Sequence, residues 1–467
     1  MKKMISCILL VLMVFSICSC AQQSEEEFSL DFGGMLGDGS KIDMDDYECV
    51  IMQNHMAESE TSLFSYPTDT LMSDLLLDRI KEIQEEYNCI ITVKTDGTIR
   101  LDTVTPTMMS GGYVSDVIFT SGPTAFIKAG FYHRLDSVEE YLDYRDASKV
   151  GTVGLLEQGL KNGIPYAVTP AAWPGKQTVT SFGVFVVNEN LISRFGKVDP
   201  RDYVENGEWT WDTFEKCLVD YQINDSAIQA NAVNVTWSVL DFAMMNGADY
   251  VKIDDSGNVI PAMDSVEFIE TFDWCARLFT QYEDSVTFHA HDQMLSALFG
   301  DEVVMAQTAI DHIIRFISYE MSNYGVVPMP CGPRGTYGEW ANAHSENVSF
   351  GIMINAREPE ASAMIINRLL DPFEGYESEE ALKDYMSEFF YDDRDLDLLL
   401  NFYNHSRWNY VDFGLWDYFT NATTLTQKGT SGTEISEKHS EKYNAIVEEY
   451  VIPNFELMQH FNSESDK

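Results

Sequence analysis

The stretch ECVIMQN, residues 48–54, is short, apolar and flanked by acidic residues, which predicts a β-strand. The next segment, residues 67–88, carries apolar side chains at helical spacing and ends at an asparagine. Residues 90–94 then predict a second strand, residues 99–109 a second helix and residues 115–120 a third strand. Alternating strands and helices are typical of right-handed parallel units whose sheet is buried on both faces. This part of the chain is therefore predicted to be α/β.

The alternation of strands and helices stops after this unit. Residues 164–169 and 182–188 both predict extended chain, and they flank the loop formed by residues 170–175. Two extended segments in a row suggest that the chain crosses from one domain to another. Residues 349–355 predict a second crossing, and the chain is mainly helical from residue 358 onward. The sequence thus favours two domains connected by more than one crossing segment.

The composition is that of a large globular protein with a strongly acidic surface. The chain has 467 residues, 45% of them hydrophobic, which corresponds to two or three domains with extensive cores. Its 75 acidic and 30 basic residues give a formal charge of -45. A nucleic acid is excluded as a partner, because binding one requires clustered Lys and Arg. The same charge disfavours anionic solutes.

The N-terminus carries the features of an exported, lipid-anchored protein. A positively charged start precedes an apolar run over residues 4–17, which suits a signal peptide and is too short for a lasting membrane span. The sequence Ile17-Cys18-Ser19-Cys20 resembles the bacterial lipobox, in which the last cysteine is acylated and becomes the new N-terminus. We therefore predict a signal peptide over residues 1–19 and a lipidated tether over residues 20–45. The alternative is an ordinary cleavage site that merely lies near Cys20.

Neither a disulfide framework nor a metal site is predicted, and no cofactor is implied. The five cysteines after Cys20 are widely spaced and form no CxxC pair. His289 and His291 stand without a second cluster of ligands, which favours a solvated loop over a zinc site. Residues 393–397 resemble the first half of a calcium loop, but Leu398 replaces the required glycine. A charged helix face is predicted there instead.

Several short motifs, taken in order, resemble one known family. They are the lipobox, YN at 87–88, DVIFT at 116–120, LD at 135–136, PYAV at 165–168, VNENL at 187–191, NGEWTWDTF at 206–214, MNGA at 245–248 and YGVVPMP at 324–330. Each motif is weak alone, but their order and spacing resemble those of the family 1 extracellular solute-binding lipoproteins of bacterial ABC importers. The resemblance runs from Cys20 to about residue 357, and the helical tail is consistent with it.

The resemblance implies a type II periplasmic-binding-protein fold. In that fold two α/β lobes, each a mostly parallel sheet flanked by helices, are joined by crossing strands and close on a ligand by hinge bending. Lobe one would comprise residues 46–167 and 353–405, and lobe two residues 168–352 and 406–467. The implied function is capture of a carbohydrate, a mono- or oligosaccharide, for import through ABC transporter permease subunits. The implied partners are thus a small solute, the permease, and the membrane through lipidated Cys20, for a protein working as a monomer.

Sugar recognition requires aromatic faces for the C–H faces of the ring, and polar groups for the hydroxyls. Candidates are aromatic or polar residues in loops at strand ends: Thr120, Ser121, Trp173, Asp311, His312, Trp340 and Trp408. The resemblance supports the loop at residues 120–121, the positions after the strand at 303–310 and a late aromatic such as Trp408. Trp209, Trp211, Trp237 and Trp274 are instead predicted to pack in the cores.

Two other functions remain open at this stage. No G-x-S-x-G, H-E-x-x-H or P-loop motif is present, so no enzyme is predicted. With 75 acidic residues, a carboxylate pair of a lipid-anchored glycoside hydrolase is not excluded by sequence. The other alternative is a surface protein that binds or senses a glycan without transport. Chromogenic glycosides would detect hydrolysis, and neighbouring permease genes would favour import.

Overall fold

The computed structural model describes residues 42–54, 62–96, 99–151, 153–176, 181, 183–235, 237–345 and 347–465. The predicted lipidation site, Cys20, and the signal peptide lie outside these residues. The strands are β1 Tyr47–Asn54, β2 Ser62–Leu63, β3 Tyr66–Pro67, β4 Cys89–Asp96, β5 Val117–Thr120, β6 Leu160–Lys161, β7 Ile164–Pro165, β8 Ala167–Val168, β9 Val184–Asn188, β10 Gln229–Asn234, β11 Val251–Ile253, β12 Val259–Pro261, β13 Val286–His289, β14 Val303–Thr308, β15 Tyr324–Pro328, β16 Asn342–His344, β17 Ser349–Ile352 and β18 Ser406–Trp408.

Helices cover both sheets and form most of the C-terminal part. The α-helices are Leu71–Tyr87, Leu101–Met109, Pro123–Ala129, Ala147–Val150, Val153–Glu157, Glu189–Phe195, Pro200–Glu205, Trp211–Asp220, Ser238–Met245, Val266–Gln281, His291–Phe299, Ile310–His312, Ser318–Glu320, Pro359–Leu369, Glu379–Met386, Asp393–Asn404, Trp416–Thr426, Gly432–Ile446 and Ile452–Ser465. Short 3-10 helices are Leu135–Ser137 and Val411–Phe413, and π-helical turns are Ile313–Ile317 and Val447–Val451.

The first sheet has five strands in the order β4-β1-β5-β17-β8. Strand β1 runs parallel to both neighbours, with Tyr47 opposite Cys89 and Ile51 opposite Val117. Strand β17 is antiparallel to β5 and to β8, so the sheet is mixed. The helix Leu71–Tyr87 covers it, capped at its start by the Thr70 hydroxyl and ended by left-handed Asn88.

The second sheet has the order β13-β10-β14-β9-β15 and is mixed in the same way. Strand β10 is parallel to β13 and β14, whereas β9 is antiparallel to β14 and β15. Both sheets thus contain two parallel and two antiparallel pairings, where mostly parallel sheets were predicted. The antiparallel pairings involve the strand that follows each passage of the chain between the sheets. Strand β9 enters the second sheet antiparallel to β14 and β15, and β17 enters the first sheet antiparallel to β5 and β8.

The chain leaves the first sheet after Val168 and returns to it at Ser349. Two large hydrophobic cores accompany the two sheets. The first core contains residues from Met44 to Phe373, including the face of the helix Pro359–Leu369. The second contains the residues of the C-terminal helices from Met386 onward. Along the C-terminal part, core membership therefore changes between Phe373 and Met386.

The acidic stretch at 393–397 differs from the predicted charged helix face. It begins the helix Asp393–Asn404, which Asp392 caps by accepting from the Arg394 amide. Asp395, however, is only 1% exposed, because it turns inward and accepts a hydrogen bond from the Val326 amide at 3.1 Å. Only part of this stretch is therefore a solvated surface.

Candidate functional site

Parallel strands of both sheets end in polar residues, which is where ligands bind in α/β proteins. Thr120 ends β5 in the first sheet, and Asn234 and Thr308 end β10 and β14 in the second. The segment that follows β5 contacts the C-terminal part of the chain. Lys128, at the end of the helix after β5, donates a hydrogen bond to the Asp412 carbonyl and lies 5.5 Å from the centroid of the Phe413 ring. This contact brings the first sheet's loop beside the segment leading to Trp416.

A buried polar network supports the strand ends of the second sheet. The Gln307 side chain accepts from the Asn234 amide at 2.9 Å and donates to Asp241 Oδ2 at 2.8 Å. Burial raises the pKa of the Asp241 carboxyl well above its ordinary value, which favours the protonated form. This network holds the ends of β10 and β14 in a fixed relation, because one side chain bonds to both the strand end and the helix behind it.

Charged residues follow β14 directly. Asp311 is half-buried, and Arg315 lies 3.4 Å from its Oδ2 atom one helical turn later. His312 is 6% exposed, with Nδ1 3.3 Å from the Thr308 hydroxyl and Nε2 3.9 Å from Asp311. Asp311 can accept hydrogen bonds from ligand hydroxyls, whereas His312 serves mainly to join the strand end to the turn that carries Asp311 and Arg315.

The loop after β5 carries the other predicted polar residues. Thr120 is 3% exposed, and its hydroxyl accepts a hydrogen bond from the Gly122 amide at 3.2 Å. This bond shapes the turn into the helix Pro123–Ala129. Ser121 is half-buried at the tip of the turn. Of the two residues, Ser121 is therefore the one whose position suits contact with a ligand, and Thr120 holds the loop.

The three predicted aromatic candidates lie in the cores instead. Trp173 is fully buried, donates its indole N–H to the Leu369 carbonyl at 3.0 Å and stacks on Phe373. Trp340 is 6% exposed and packs edge to face against Tyr337. Trp408 is also fully buried, with its ring centroid 4.4 Å from that of Tyr410. None of these rings presents a face to a ligand in this structure, because core side chains cover them.

Two other tryptophans have exposed surface. The indoles of Trp173, Trp209, Trp211, Trp274, Trp340 and Trp408 are all buried. Trp237, three residues after the end of β10, is half-buried, and Trp416, at the start of the helix Trp416–Thr426, is 43% exposed. We call these two residues the aromatic pair, because their rings meet edge to face with centroids 5.3 Å apart. The prediction that Trp237 is a core residue is confirmed only in part, because Trp237 packs against the second core but is half-buried.

Sequence reasoning did not single out Trp416. The signal that points to Trp237 is its position just after a strand, shared with Asp311 on the neighbouring strand. Trp416 gives no such signal, because it follows a 3-10 turn and lies far along the chain. Its place becomes visible only when the helices Ser238–Met245 and Trp416–Thr426 are seen side by side.

The described residues contain no cluster of three or more His, Cys, Asp or Glu side chains arranged to hold a metal ion. Within the same residues, no helix is long and apolar enough to cross a membrane. The five cysteines from Cys49 to Cys331 are buried free thiols. The polar and aromatic groups described above can thus hold an organic solute by hydrogen bonds and ring contacts.

No family model and no curated protein matches this sequence, but solved structures do. The cyclic α-maltosyl-1,6-maltose binding protein of Arthrobacter globiformis has a TM-score of 0.61 at 12% identity, covering 86% of this chain and 99% of that protein. The sugar-binding protein MalE of Xanthomonas citri has a TM-score of 0.58 at 10% identity, with 86% and 97% covered. The GacH receptor of Streptomyces glaucescens, solved unliganded and with acarbose, has a TM-score of 0.55 at 13% identity, with 87% and 99% covered. The fold is therefore the two-lobed type II periplasmic binding protein fold.

Proposed function

We propose that this chain is an extracellular solute-binding protein that captures a carbohydrate, a mono- or oligosaccharide, and delivers it to an ABC importer. The observation that carries the proposal is the aromatic pair: among the described residues, Trp237 and Trp416 are the tryptophans that are not buried, and Trp237 follows β10, the strand beside the one that Asp311 follows. Flat ring faces and hydrogen-bonding side chains together are the groups that sugar recognition requires. The fold is shared with proteins that bind acarbose and maltotetraose.

The energetics of capture follow from these groups. An aromatic ring contributes about 0.5–1.5 kcal/mol beyond its buried area when it packs on a second ring, and a comparable gain is expected from the C–H face of a sugar. Hydrogen bonds from Asp311 and Ser121 select among hydroxyl arrangements, because an unmatched buried polar group costs about 1–3 kcal/mol. The solute closes the lobes only to the extent that it binds the closed state more tightly than the open one.

A buried side chain connects the two segments that join the sheets. The Gln158 amide donates to the Thr169 hydroxyl at 2.6 Å and to the Ser349 hydroxyl at 3.1 Å, and its oxygen accepts from the Asn347 amide at 2.6 Å. Thr169 follows β8 and Ser349 begins β17, so one residue ties the outgoing and the returning chain. We infer that this group belongs to the hinge.

The lobes are proposed as residues 46–167 with a returning segment from 353, and residues 168–352 with the C-terminal helices. We expected the returning segment to end near residue 405. The change of core membership between Phe373 and Met386 supports an earlier end for it. Limited proteolysis followed by mass spectrometry tests this: cleavage confined to residues 374–385 supports the earlier boundary, and cleavage near 405 contradicts it.

Residues 1–19 are proposed to be a signal peptide, and Cys20 the acylated residue that holds the protein at the outer face of the cytoplasmic membrane. In cells fed a labelled fatty acid, we expect Cys20→Ser to abolish labelling of the protein and to release it into the medium. Cys18→Ser, two residues away, is the matched control and should leave labelling unchanged. Equal labelling of wild type and Cys20→Ser would refute the anchor.

A thermal-shift screen of the chain from Ser24 onward, against a panel of saccharides, tests the capture itself. A saccharide at about a hundred times its dissociation constant should add about 2.7 kcal/mol of stability. Chromatography of the same mixtures should recover each sugar unchanged, since capture without catalysis is proposed. Stabilisation by no saccharide, or the appearance of a hydrolysis product, would overturn the proposed function.

A further inference from the structure

Lys128 connects two parts of the chain that belong to different hydrophobic cores. It lies in the helix Pro123–Ala129, whose Phe126 is buried in a cluster with residues of the first sheet. Its ammonium donates to the Asp412 carbonyl and lies 5.5 Å from the centroid of the Phe413 ring. Phe413 is a member of the second core. The side chain of Lys128 therefore joins a helix of the first sheet to a segment of the second core.

Packing fixes both surfaces that Lys128 connects. On one side, the ring of Phe126 stacks on Tyr132 with the centroids 5.4 Å apart. On the other side, the Phe413 ring packs against Trp408 and Tyr450, with centroids at 5.4 Å and 4.8 Å. Neither surface can follow the other when the two parts of the chain separate. The contacts of Lys128 therefore depend on how close these two parts are.

The contact lies beside both halves of the candidate site. The helix Pro123–Ala129 begins two residues after Ser121, which is half-buried at the tip of the turn. Phe413 precedes Trp416 by three residues, and Trp416 is 43% exposed. The contact of Lys128 thus sets how near the loop with Ser121 lies to the segment with the aromatic pair.

We propose that Lys128 is a positioning residue that holds the two halves of the site together around a bound saccharide. The inference rests on the proposed function and adds to it a contact that stabilises the closed form. Lys128 acts on the solute only through the segment that carries Phe413. Because its partners belong to the other lobe, its contacts are present when the lobes are near and lost when they part. A saccharide held between closed lobes is then released more slowly.

The contact is expected to contribute modestly. Lys128 is exposed, so water competes for its ammonium, and a cation near a ring at an exposed site is weakly attracted. The hydrogen bond to the Asp412 carbonyl adds a similar amount. Together they correspond to about a 3- to 20-fold change in the ratio of closed to open molecules. The same factor applies with and without a solute, because both partners of Lys128 are protein groups.

Spin labels test the contact without any solute. The five described cysteines are buried, so in the chain from Ser24 onward two introduced cysteines can be labelled selectively. Asp78→Cys on the helix Leu71–Tyr87 and Lys252→Cys on β11 replace exposed residues of the two lobes. Pulsed electron paramagnetic resonance measures the distribution of distances between the labels. Adding Lys128→Met should lower the ratio of short to long distances by about 3- to 20-fold.

The rate of saccharide release tests the consequence for capture. The probes are maltotetraose and acarbose, and stopped-flow tryptophan fluorescence follows their dissociation. A probe that binds should leave Lys128→Met about 3- to 20-fold faster than wild type. Its association rate should stay within about twofold, because affinity changes at one interface appear mostly in the dissociation rate. Lys128→Arg should restore slow release, since a guanidinium keeps the charge, the donor and the ring contact.

Lys81→Met is the matched control. Lys81 is an exposed lysine on the helix Leu71–Tyr87, and its ion pair with Glu85, at 3.9 Å, stays within that helix. The substitution removes one positive charge from the same lobe, so distances and release rates should equal those of wild type. Urea unfolding separates loss of the contact from loss of folding, because Lys128→Met should unfold at nearly the same urea concentration as wild type.

Unchanged distances and an unchanged release rate in Lys128→Met would overturn the inference and leave the proposed function intact. Changed distances with an unchanged release rate would also overturn it, because Lys128 would then join the lobes without holding the solute. An equal effect of Lys81→Met would do the same, since loss of charge alone would explain the result. If no saccharide of the screen binds wild type, the proposed function fails, and the inference fails with it.

Discussion

The indole rings of Trp237 and Trp416 meet edge to face, with their centroids 5.3 Å apart and an angle of 84° between their planes. Each ring comes from a different part of the chain, one from the turn after β10 and one from the helix Trp416–Thr426. An edge-to-face pair leaves the face of one ring and the edge of the other uncovered. Because Trp416 is 43% exposed, the pair offers an aromatic surface that a sugar ring can cover.

Replacing Trp416 by Ala is expected to weaken saccharide binding with little effect on stability. The lost ring contact corresponds to about 1–2 kcal/mol, or roughly a 5- to 30-fold increase in the dissociation constant. Trp416→Phe keeps a flat face and should lose less than half of that free energy. Calorimetric titration of wild type and both variants with the best saccharide from the screen measures the effect. Equal affinity in all three would show that Trp416 does not contact the solute.

Replacing Trp173 by Ala is expected to act on folding. Trp173 is fully buried among Phe64, Phe119, Phe350 and Phe373, and its removal leaves a large cavity in the first core. We expect a loss of about 3–5 kcal/mol in the free energy of unfolding. Urea unfolding followed by circular dichroism measures it. A variant as stable as wild type, with reduced saccharide affinity, would place Trp173 at the ligand instead.

Asp395 lies in a cluster of carboxylates around one buried arginine. Arg201 contacts Glu189 and lies 2.7 Å from Asp199, 3.4 Å from Asp392 and 3.7 Å from Asp395. Burial raises the pKa of Asp395 from 3.8 to about 7, because the Val326 amide and Arg201 only partly offset the loss of solvation. The carboxyl of Asp395 is therefore largely protonated in the folded protein below pH 7.

This raised pKa predicts that the free energy of unfolding of Asp395→Asn increases relative to that of wild type as the pH rises. Between about pH 4 and pH 7 the unfolded chain ionises Asp395 while the folded protein keeps it protonated, so wild type loses stability as the pH rises. The loss is about 1.4 kcal/mol per pH unit and at most about 4 kcal/mol, and it levels off above pH 7. Urea unfolding should therefore show that the stability of Asp395→Asn relative to wild type increases from about pH 4 to pH 7. Asp393→Asn, a control that is exposed on the same helix, should show the same dependence of stability on pH as wild type. If Asp395→Asn also shows the same dependence as wild type, the raised pKa of Asp395 is contradicted.

Periodicity predicted much of the fold. The strand predicted at 48–54 is Tyr47–Asn54, and the helix within 67–88 is Leu71–Tyr87. These elements could be predicted because each buries one face, and the apolar residues of that face recur at regular spacing along the sequence. The direction of β9 and β17 was not predictable in this way, since it depends on which strands of the sheet they join.

The aromatic part of the candidate site was much less predictable. Trp173 and Trp408 follow loop-like sequence, but their segments fold back over the cores, and burial by distant residues leaves no local pattern. Trp237 precedes a helix, Ser238–Met245, that is buried on all sides, so a core position was the natural prediction. Its partial exposure results from its place in the turn after β10, one residue before that helix begins.

Gln158 restricts where the molecule can bend. The Gln158 side-chain amide forms hydrogen bonds to both connecting strands on the side of the first sheet. Neither strand can therefore rotate there without breaking the bonds to Thr169 and Ser349. In the lobe closure that we propose, rotation would then occur nearer the second sheet, beyond Thr169 on one strand and before Ser349 on the other. The connection between Phe373 and Met386 lies outside this constraint, so it would follow a movement whose axis the two coupled strands set.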